Sequence, residues 1–213
     1  MLHDGDILRA GRINAYSECS DVHVVFARGS TELPGLGICG EPFVSSITSN
    51  LNGLSVSSYA VEYEASVTQL SAGPGATDMI NHVVAVAQEC PATVFVLGGY
   101  SQGASVADIA IGIDTVLGQG GGGGGIPEAL SPRVIAAVTF GNPLLLFGET
   151  IESSSQLYGP KAVELCEDGD PVCRNGINPL AHIMYPSDGS VTLAAEKAAA
   201  LVKGKTTQLR GIK

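Results

Sequence analysis

The chain has 213 residues, of which 45% are hydrophobic and only 15% are charged, so it is long and apolar enough to bury a sizeable core in one domain. Its formal net charge of −10 at pH 7 argues against nucleic acid as a partner, because phosphate binding needs clustered Lys and Arg. No apolar run reaches the about 18 residues of a membrane span. These properties favour a protein without a membrane span that acts on a neutral substrate.

The two ends of the chain are expected to lie outside the folded part. Residues 1–18 are polar and mixed, which predicts a flexible N-terminal arm, and the basic end at 204–213 predicts a flexible tail. The arm lacks the basic start and apolar stretch of a signal peptide. The chain is therefore either cytosolic or a secreted protein whose signal has been removed. Residues 19–203 are expected to form a single domain.

Strands and helices alternate along this domain. Apolar, β-branched runs predict strands, and apolar residues spaced three and four apart predict helices. The glycine-rich stretch 118–125 is interpreted as a flexible surface linker, since a phosphate loop would end in Gly-Lys-Ser or Gly-Lys-Thr. The alternation predicts an α/β fold with three α/β/α layers and a mostly parallel five-stranded sheet. The predicted strands are 21–27, 54–61, 93–98, 133–140 and 161–166, and the predicted helices are 41–52, 76–90, 102–117 and 192–203.

The third strand leads into the motif around which the rest of the chain is interpreted. Gly99-Tyr100-Ser101-Gln102-Gly103 fits the G-x-S-x-G nucleophile elbow, in which a serine lies in a tight turn between a strand and a helix. Glycines are needed at Gly99 and Gly103 because side chains there would collide where the strand and the helix nearly touch. The N–H of Gln102, at the start of the helix, would face a developing oxyanion. Ser101 is therefore the candidate nucleophile.

A serine hydroxyl needs a base to remove its proton, and the base needs a carboxylate to orient it. In this chemistry on an α/β sheet the chain order is Ser, Asp or Glu, then His. His182 is the only histidine after Ser101, so it is the candidate base. Asp170 is the preferred acid because it follows the last strand, and Asp168 is the second candidate.

The five cysteines indicate the redox compartment. Cys166 and Cys173 bracket a short loop, and Cys19 and Cys90 each precede a strand that could start at the same edge of the sheet. We favour two disulfides and one odd thiol, Cys39, which implies an oxidising compartment. Five reduced thiols in a cytosolic enzyme remain the alternative. A metal site is not expected, because the chain has no C-x-x-C pair and its histidines are scattered.

These motifs, in this order and spacing, resemble the cutinase family over about residues 19–203. Three linked segments carry the resemblance together with His182: Cys19-Ser20-Asp21-Val22 with Phe26-Ala27-Arg28-Gly29-Ser30, Gly98-Gly99-Tyr100-Ser101-Gln102-Gly103-Ala104, and Cys166-Glu167-Asp168-Gly169-Asp170-Pro171-Val172-Cys173. The resemblance implies a lidless α/β-hydrolase with a Ser101–His182–Asp170 triad. It also implies an oxyanion hole from Ser30 and Gln102, disulfides Cys19–Cys90 and Cys166–Cys173, no metal and no cofactor.

The same resemblance implies a secreted, extracellular serine esterase, expected to be a monomer, that acts on cutin-type polyesters and short-to-medium acyl esters. An acetylxylan esterase, a lipid hydrolase of phospholipase or lipase type, and a binding protein without catalytic activity are the alternatives. Apolar residues beside the predicted site are candidate substrate walls, although each fits an ordinary core equally well. They are Leu33, Leu36, Leu145, Phe147, Ile177, Leu180 and Ile183.

Overall fold

The computed structural model describes residues 19–115 and 124–210, with the side chains of 206–210 left out. Its five strands are all parallel and lie side by side in the order β2-β1-β3-β4-β5. Every residue of β1, β3 and β4 is buried, whereas the edge strands β2 and β5 are only partly buried. The strands are β1 Val22–Ala27, β2 Val56–Ala60, β3 Val94–Tyr100, β4 Val134–Phe140 and β5 Ala162–Leu165.

Helices cover both faces of the sheet, as predicted. On one face, α1 and α6 pack Phe43 and the alanines of α6 against Phe26 and Phe140. On the other face, α2 and α3 contribute Met79 and Val106 to a second apolar core. The predicted three-layer α/β/α fold is therefore confirmed. The helices are α1 Gly37–Asn50, α2 Ala72–Glu89, α3 Gln102–Ala110, α4 Ile151–Ser154, α5 Pro179–Ile183 and α6 Ser190–Arg210.

The strand order positions the functional site. The chain runs from β1 outward to β2, returns to β3 beside β1, and then continues outward through β4 and β5. The carboxyl ends of β1 and β3 thus form the point at which the direction of the sheet reverses. Open α/β sheets bind ligands in the crevice at this point. The loop after β1 and the turn after β3 both lie there.

Two helices begin earlier than their sequences suggest. α1 starts at Gly37 rather than at 41, with Pro42 inside the helix, because the Glu32 carboxylate accepts the Ile38 N–H at 2.7 Å and so satisfies a donor of the first turn. α2 starts at Ala72 rather than at 76. Its Gly-Pro-Gly segment falls in the first turn, where the missing N–H of a proline costs nothing.

The ends of α3 and α6 also differ from the prediction. α3 ends at Ala110 instead of 117, where Gly112 adopts a φ of +83° and the Ile113 N–H donates to the Asp108 carbonyl at 2.9 Å. α6 continues to Arg210, so the predicted flexible tail 204–213 is helical through 210. The predicted arm 1–18 lies outside the described residues, and so does most of the linker 118–125.

Both predicted disulfides are present. Cys19–Cys90 joins the start of the first strand to the end of α2, and Cys166–Cys173 closes the loop after β5. The fifth cysteine, Cys39, is buried on α1, and burial raises the pKa of its thiol. A thiol held in its neutral form in an apolar setting is unreactive. Because four of the five cysteines form disulfides, the alternative of five reduced thiols is wrong.

Candidate active site

Ser101 lies at the junction of β3 and α3 in a strained backbone conformation. Its φ is +55° and its ψ is −119°, a region that residues other than glycine rarely occupy. Side chains at Gly99 and Gly103 would overlap the Gly103 carbonyl and the Ala27 carbonyl respectively. The two glycines therefore allow strand and helix to approach closely, and the turn raises the Ser101 side chain above the carboxyl end of the sheet. This is the geometry that the elbow motif predicts.

His182 provides the next link. It lies on α5, a short helix that begins at Pro179 and whose preceding Asn178 side chain accepts the Leu180 N–H. The His182 Nε2 is 2.8 Å from the Ser101 Oγ, and its Nδ1 is 2.8 Å from the Asp170 Oδ2. The imidazole side chain is 14% exposed, so a substrate can reach it from solvent. The structure thus brings the three predicted residues into one hydrogen-bonded chain.

Asp170 is completely buried within the loop that Cys166–Cys173 closes. Its Oδ1 accepts the Val172 N–H at 2.7 Å, and its Oδ2 accepts the Tyr185 hydroxyl at 2.5 Å. Burial alone would raise the pKa of this carboxyl. The hydrogen bonds from His182, Tyr185 and Val172 outweigh burial, so the pKa of Asp170 is lowered. The group is therefore an anion that faces the His182 Nδ1.

Asp168, the second candidate acid, is not in this chain. Its side chain is 93% exposed, and it pairs with Arg174 at 2.6 Å. A carboxylate in that position is solvated and cannot orient an imidazole in the crevice. The sequence preferred Asp170 and kept Asp168 as the second candidate, and the geometry favours Asp170.

Three residues that support His182 were not identified from the sequence. The Tyr100 hydroxyl donates to the His182 carbonyl at 2.7 Å, and the two rings stack with centroids 5.0 Å apart. A Cβ on Gly141 would lie 2.6 Å from the His182 Cε1, so only glycine leaves room for the imidazole. Tyr185, as described, donates to Asp170. No motif marks Gly141 or Tyr185, whereas Tyr100 lies inside the elbow motif.

The predicted oxyanion residues meet at the start of α3. The Ser30 hydroxyl donates to the Gln102 Oε1 at 3.4 Å and accepts from the Gln69 Nε2 at 2.8 Å. The Gln102 N–H belongs to the first turn of α3, where backbone donors have no partner within the helix. Gln69, which the sequence did not suggest, has a φ of +63°. Its amide orients the Ser30 hydroxyl from the loop before α2.

The loop that carries Ser30 is braced by charged groups. Arg28 is buried, and its guanidinium donates to the carbonyls of Glu32, Val61 and Tyr63. The Tyr63 hydroxyl in turn donates to the Arg28 carbonyl. The Glu32 carboxylate accepts the Gly29 N–H at 2.5 Å. Each charge is thus used to hold backbone groups of the loop beside Ser101.

The candidate substrate walls fall into two groups. Leu36 packs against the core, and Leu145 is half-buried, so neither presents a large apolar surface. The other five predicted residues are at least half exposed although they are large and hydrophobic. Val67 and Leu70, which flank Gln69, join them and were missed by the sequence analysis. The exposed set consists of Leu33, Val67, Leu70, Phe147, Ile177, Leu180 and Ile183.

The remaining histidines of the described residues form a separate pair. The His23 Nε2 is 2.8 Å from the His82 Nε2, and the His23 Nδ1 is 2.6 Å from the Ser57 Oγ. Burial and the neighbouring His82 lower the pKa of His23 to about 4. Over 19–115 and 124–210, no group of three or more His, Cys, Asp or Glu side chains is arranged to hold a metal ion. No helix in those ranges is long and apolar enough to cross a membrane.

Comparison with known proteins places the chain in a family. A protein-family model described as "Cutinase" matches residues 18–202. A relative named "Cutinase" from Kineococcus radiotolerans is 52% identical over 193 residues, which make up 89% of this chain but 64% of that relative. The chain therefore spans somewhat less than two thirds of the length of that relative.

Solved structures agree. A Trichoderma reesei cutinase in complex with a C11Y4 phosphonate inhibitor is 31% identical, with a TM-score of 0.66 over 88% of this chain and 77% of that one. An iodinated complex of acetyl xylan esterase is 26% identical, with a TM-score of 0.72 over 88% of this chain and 99% of that one. Since the family model covers most of the sequence and the fold is shared, the chain belongs to the cutinase family.

Proposed function

We propose that the chain is a serine esterase in which Ser101 is the nucleophile, His182 the general base and Asp170 the orienting carboxylate. One observation carries this proposal. The Ser101 Oγ, both ring nitrogens of His182 and the Asp170 Oδ2 form a continuous hydrogen-bonded chain with two links of 2.8 Å. Nucleophile, base and orienting group in mutual hydrogen-bond contact are the signature of covalent acyl transfer.

The reaction runs in two halves. The Ser101 Oγ attacks the ester carbonyl carbon while the His182 Nε2 takes the hydroxyl proton, and the carbonyl oxygen becomes an oxyanion. Collapse of the tetrahedral intermediate breaks the bond to the alcohol oxygen, which receives that proton from His182. A water then attacks the acyl carbonyl carbon while His182 takes its proton; the bond to the Ser101 Oγ breaks, the Oγ receives that proton, and the carboxylic acid leaves. Asp170 remains an anion throughout and stabilises the imidazolium.

The oxyanion is assigned to Ser30 and to the Gln102 N–H. The Gln102 amide lies in the first turn of α3, where the helix dipole favours negative charge. The Ser30 hydroxyl accepts from the Gln69 Nε2 at 2.8 Å and donates to the Gln102 Oε1 over a longer distance of 3.4 Å, so its one proton would turn from Gln102 to the oxyanion when the substrate binds. The Gln102 N–H is held in place by the helix, and a preorganised donor of this kind contributes about 10²–10³ in kcat. The reaction requires no metal or cofactor.

The substrate class follows from the exposed apolar residues beside the triad. Leu33 follows Ser30, Val67 and Leu70 flank Gln69, and Leu180 and Ile183 flank His182; all five are largely exposed. Large apolar side chains that stay exposed next to a site are candidates for an interaction surface. We propose that it binds the acyl chains of cutin-type polyesters and of short-to-medium acyl esters. The names of the Kineococcus and Trichoderma relatives support this choice.

An acetylxylan esterase is the second candidate. It is favoured by the TM-score of 0.72 with the acetyl xylan esterase. A lipid hydrolase on the same scaffold is tested by the same experiment. The two disulfides fit an oxidising compartment, and we propose that the enzyme is secreted and acts as a monomer.

The proposal is tested with p-nitrophenyl esters from acetate to palmitate, using wild type, Ser101→Ala and Ser105→Ala side by side. Ser105 is a matched control because it is buried on α3, the helix that follows Ser101, and its hydroxyl has no hydrogen-bond partner. We expect Ser101→Ala to abolish hydrolysis at every chain length and Ser105→Ala to retain it. Normal turnover by Ser101→Ala would refute the mechanism.

The chain-length profile distinguishes the substrates. A maximum between butyrate and octanoate supports the polyester hydrolase, because the apolar surface then contributes to binding. A preference for acetate alone would replace it with the carbohydrate deacetylase, and a maximum at palmitate would replace it with the lipid hydrolase.

A further inference from the structure

A groove lies at the amino ends of the strands, whereas Ser101 lies at their carboxyl ends. It has a volume of about 800 Å³ and runs between α6 and the amino ends of β4 and β5. The seven residues of β4 separate its amino end, at the groove, from its carboxyl end, on the side of Ser101. This is a distance of roughly 20 Å at the rise of an extended strand. The proposed esterase chemistry therefore does not account for this groove. Its lining includes Pro132, Ile135, Lys161, Val163, Lys197, Leu201 and Lys205.

The floor of the groove is apolar. Ile135 and Val163 are more than nine-tenths buried and belong to the core between the sheet and α6. Leu201 is partly buried against the same core, and Pro132 and Pro160 form rigid walls. Such a floor gains free energy when an apolar ligand covers it, at about 25 cal/mol per Å² of apolar surface removed from water.

Three lysines surround this floor. Lys161, Lys197 and Lys205 are three of the five lysines of a chain with a net charge of −10. Among the described residues of the lining there is no carboxylate. The Lys161 Nζ donates to the Ser131 carbonyl at 2.6 Å, which holds the ammonium group in place. Burial and the nearby Lys205 both lower the pKa of Lys161, so these two cations repel each other.

We propose that this groove binds a long-chain fatty acid, with the carboxylate between Lys161 and Lys205 and the alkyl chain over the apolar floor. An anion there offsets the repulsion between the two lysines, which a neutral ester or alcohol does not do. A polyanion such as nucleic acid is disfavoured because the overall charge of the chain is strongly negative. The ligand would be bound and not hydrolysed, because a free fatty acid has no ester bond.

Binding of oleate is measured by isothermal titration calorimetry, with oleate kept below its critical micelle concentration. The protein used has its Ser101 blocked with a phosphonate. We expect one oleate per chain. Oleyl alcohol, which has the same tail and no charge, should bind about tenfold more weakly or not at all, because a charged hydrogen bond contributes roughly the 1.4 kcal/mol that corresponds to tenfold. Equal binding of the alcohol, or loss of oleate binding when Ser101 is blocked, would refute the proposal.

Variants locate the site. Lys161→Gln/Lys205→Gln should weaken oleate binding about tenfold or more, whereas Lys203→Gln, on the same helix but outside the lining, should not change it. Ala200→Trp should also weaken oleate binding, because the indole would fill the groove while both lysines remain. This variant therefore tests the apolar floor independently of the charges. Unchanged oleate affinity in the double lysine variant, with a native circular dichroism spectrum, would overturn the assignment. Hydrolysis of p-nitrophenyl butyrate should be the same in all four proteins, so this test is separate from that of the esterase.

Discussion

At the scale of single residues, the site depends on hydrogen bonds that keep one buried carboxylate ionised. Asp170 has no solvent contact, and a carboxylate in such a place would be neutral without compensation. Donors from His182, Tyr185 and the Val172 backbone provide that compensation. Besides His182 itself, the Tyr185 hydroxyl and the Val172 N–H therefore help to maintain the negative charge that faces the imidazole.

Tyr185→Phe tests this compensation. It removes the donor at 2.5 Å from the Asp170 Oδ2, and a hydrogen bond to a charged group contributes about 1.5–3 kcal/mol. We expect the free energy of unfolding in urea at pH 7 to fall by that amount, and kcat/KM to fall with it. Tyr158→Phe is the matched control, because the Tyr158 hydroxyl is buried without a partner and its loss costs little. Equal stabilities of the two variants would show that Tyr185 does not hold Asp170.

Gly141→Ala tests the space around His182. The new Cβ would lie 2.6 Å from the His182 Cε1, at a φ of +57°. Gly148→Ala is the control, since Gly148 also has a positive φ, +77°, but no atom within 4 Å of its Cβ position. Both variants bear the backbone strain of about 1 kcal/mol, and Gly141→Ala adds the overlap with His182, so it should be the less stable of the two and activity is compared on folded protein. Only Gly141→Ala should lose activity, by about 10²; full activity would mean that the imidazole can shift without consequence.

At the scale of elements, the three residues of the proposed triad lie on segments that follow the carboxyl ends of strands. Ser101 follows β3 directly, and Asp170 lies in the loop after β5. His182 lies on α5, and Tyr100 at the end of β3 ties its backbone down. The end of β3 and α5 are thus connected by a contact across the crevice. The position of Asp170 depends most on the shape of the disulfide loop at 166–173.

The two disulfides are expected to have different roles. Cys19 and Cys90 are 71 residues apart, and Cys166 and Cys173 only seven. A cross-link over the longer loop removes more entropy from the unfolded chain, by roughly 2 kcal/mol in the loop-entropy account. Replacing both cysteines of a pair by serine should therefore lower the Tm more for Cys19–Cys90. The activity should fall more, about tenfold or beyond, for Cys166–Cys173, because its loop holds Asp170.

The measurement is a melting curve and a p-nitrophenyl butyrate assay on both double variants. If the Cys166–Cys173 variant keeps full activity while folded, the loop does not depend on its disulfide to position Asp170.

At the scale of the whole molecule, the charge balance predicts how stability depends on pH. His23 is buried against His82, and its pKa is lowered to about 4 from an ordinary value of 6.5. The unfolded chain therefore binds more protons than the folded one between these values, and stability falls as the pH decreases through that window. The contribution of His23 is fully present above pH 6.5. Below about pH 4 the lowered pKa of Asp170 adds a further loss.

We expect the free energy of unfolding of the wild type to fall by up to about 3 kcal/mol between pH 6.5 and pH 4. His23→Asn removes the titrating group, so its stability should depend less on pH in this range, whatever its absolute value. Urea unfolding at several pH values measures both slopes. Identical slopes for the two proteins would assign the acid sensitivity to other groups.

Most of the fold and the centre of the site were predictable because they depend on local chemistry. The β-branched runs identified all five strands, and Gly-x-Ser-x-Gly identified the strand–turn–helix elbow and the serine that we propose as the nucleophile. His182 followed from chain order. The start of α1 was missed because a side chain outside the helix, that of Glu32, satisfies its first turn. The start of α2 was missed because its Gly-Pro-Gly segment lies in the first turn of the helix. Gln69 and Tyr185 were missed because their roles arise from contacts between segments far apart in the sequence, which no local pattern encodes.

The central claim is that Ser101 is the nucleophile of an esterase. The most direct measurement is the reaction of the folded protein with a p-nitrophenyl alkylphosphonate, followed by intact mass and by peptide mapping. The account predicts one phosphonyl group per chain on Ser101, with one equivalent of p-nitrophenolate released, and no labelling of Ser101→Ala. It also predicts normal labelling of Ser105→Ala. Labelling of another residue, or equal labelling of wild type and Ser101→Ala, would contradict it.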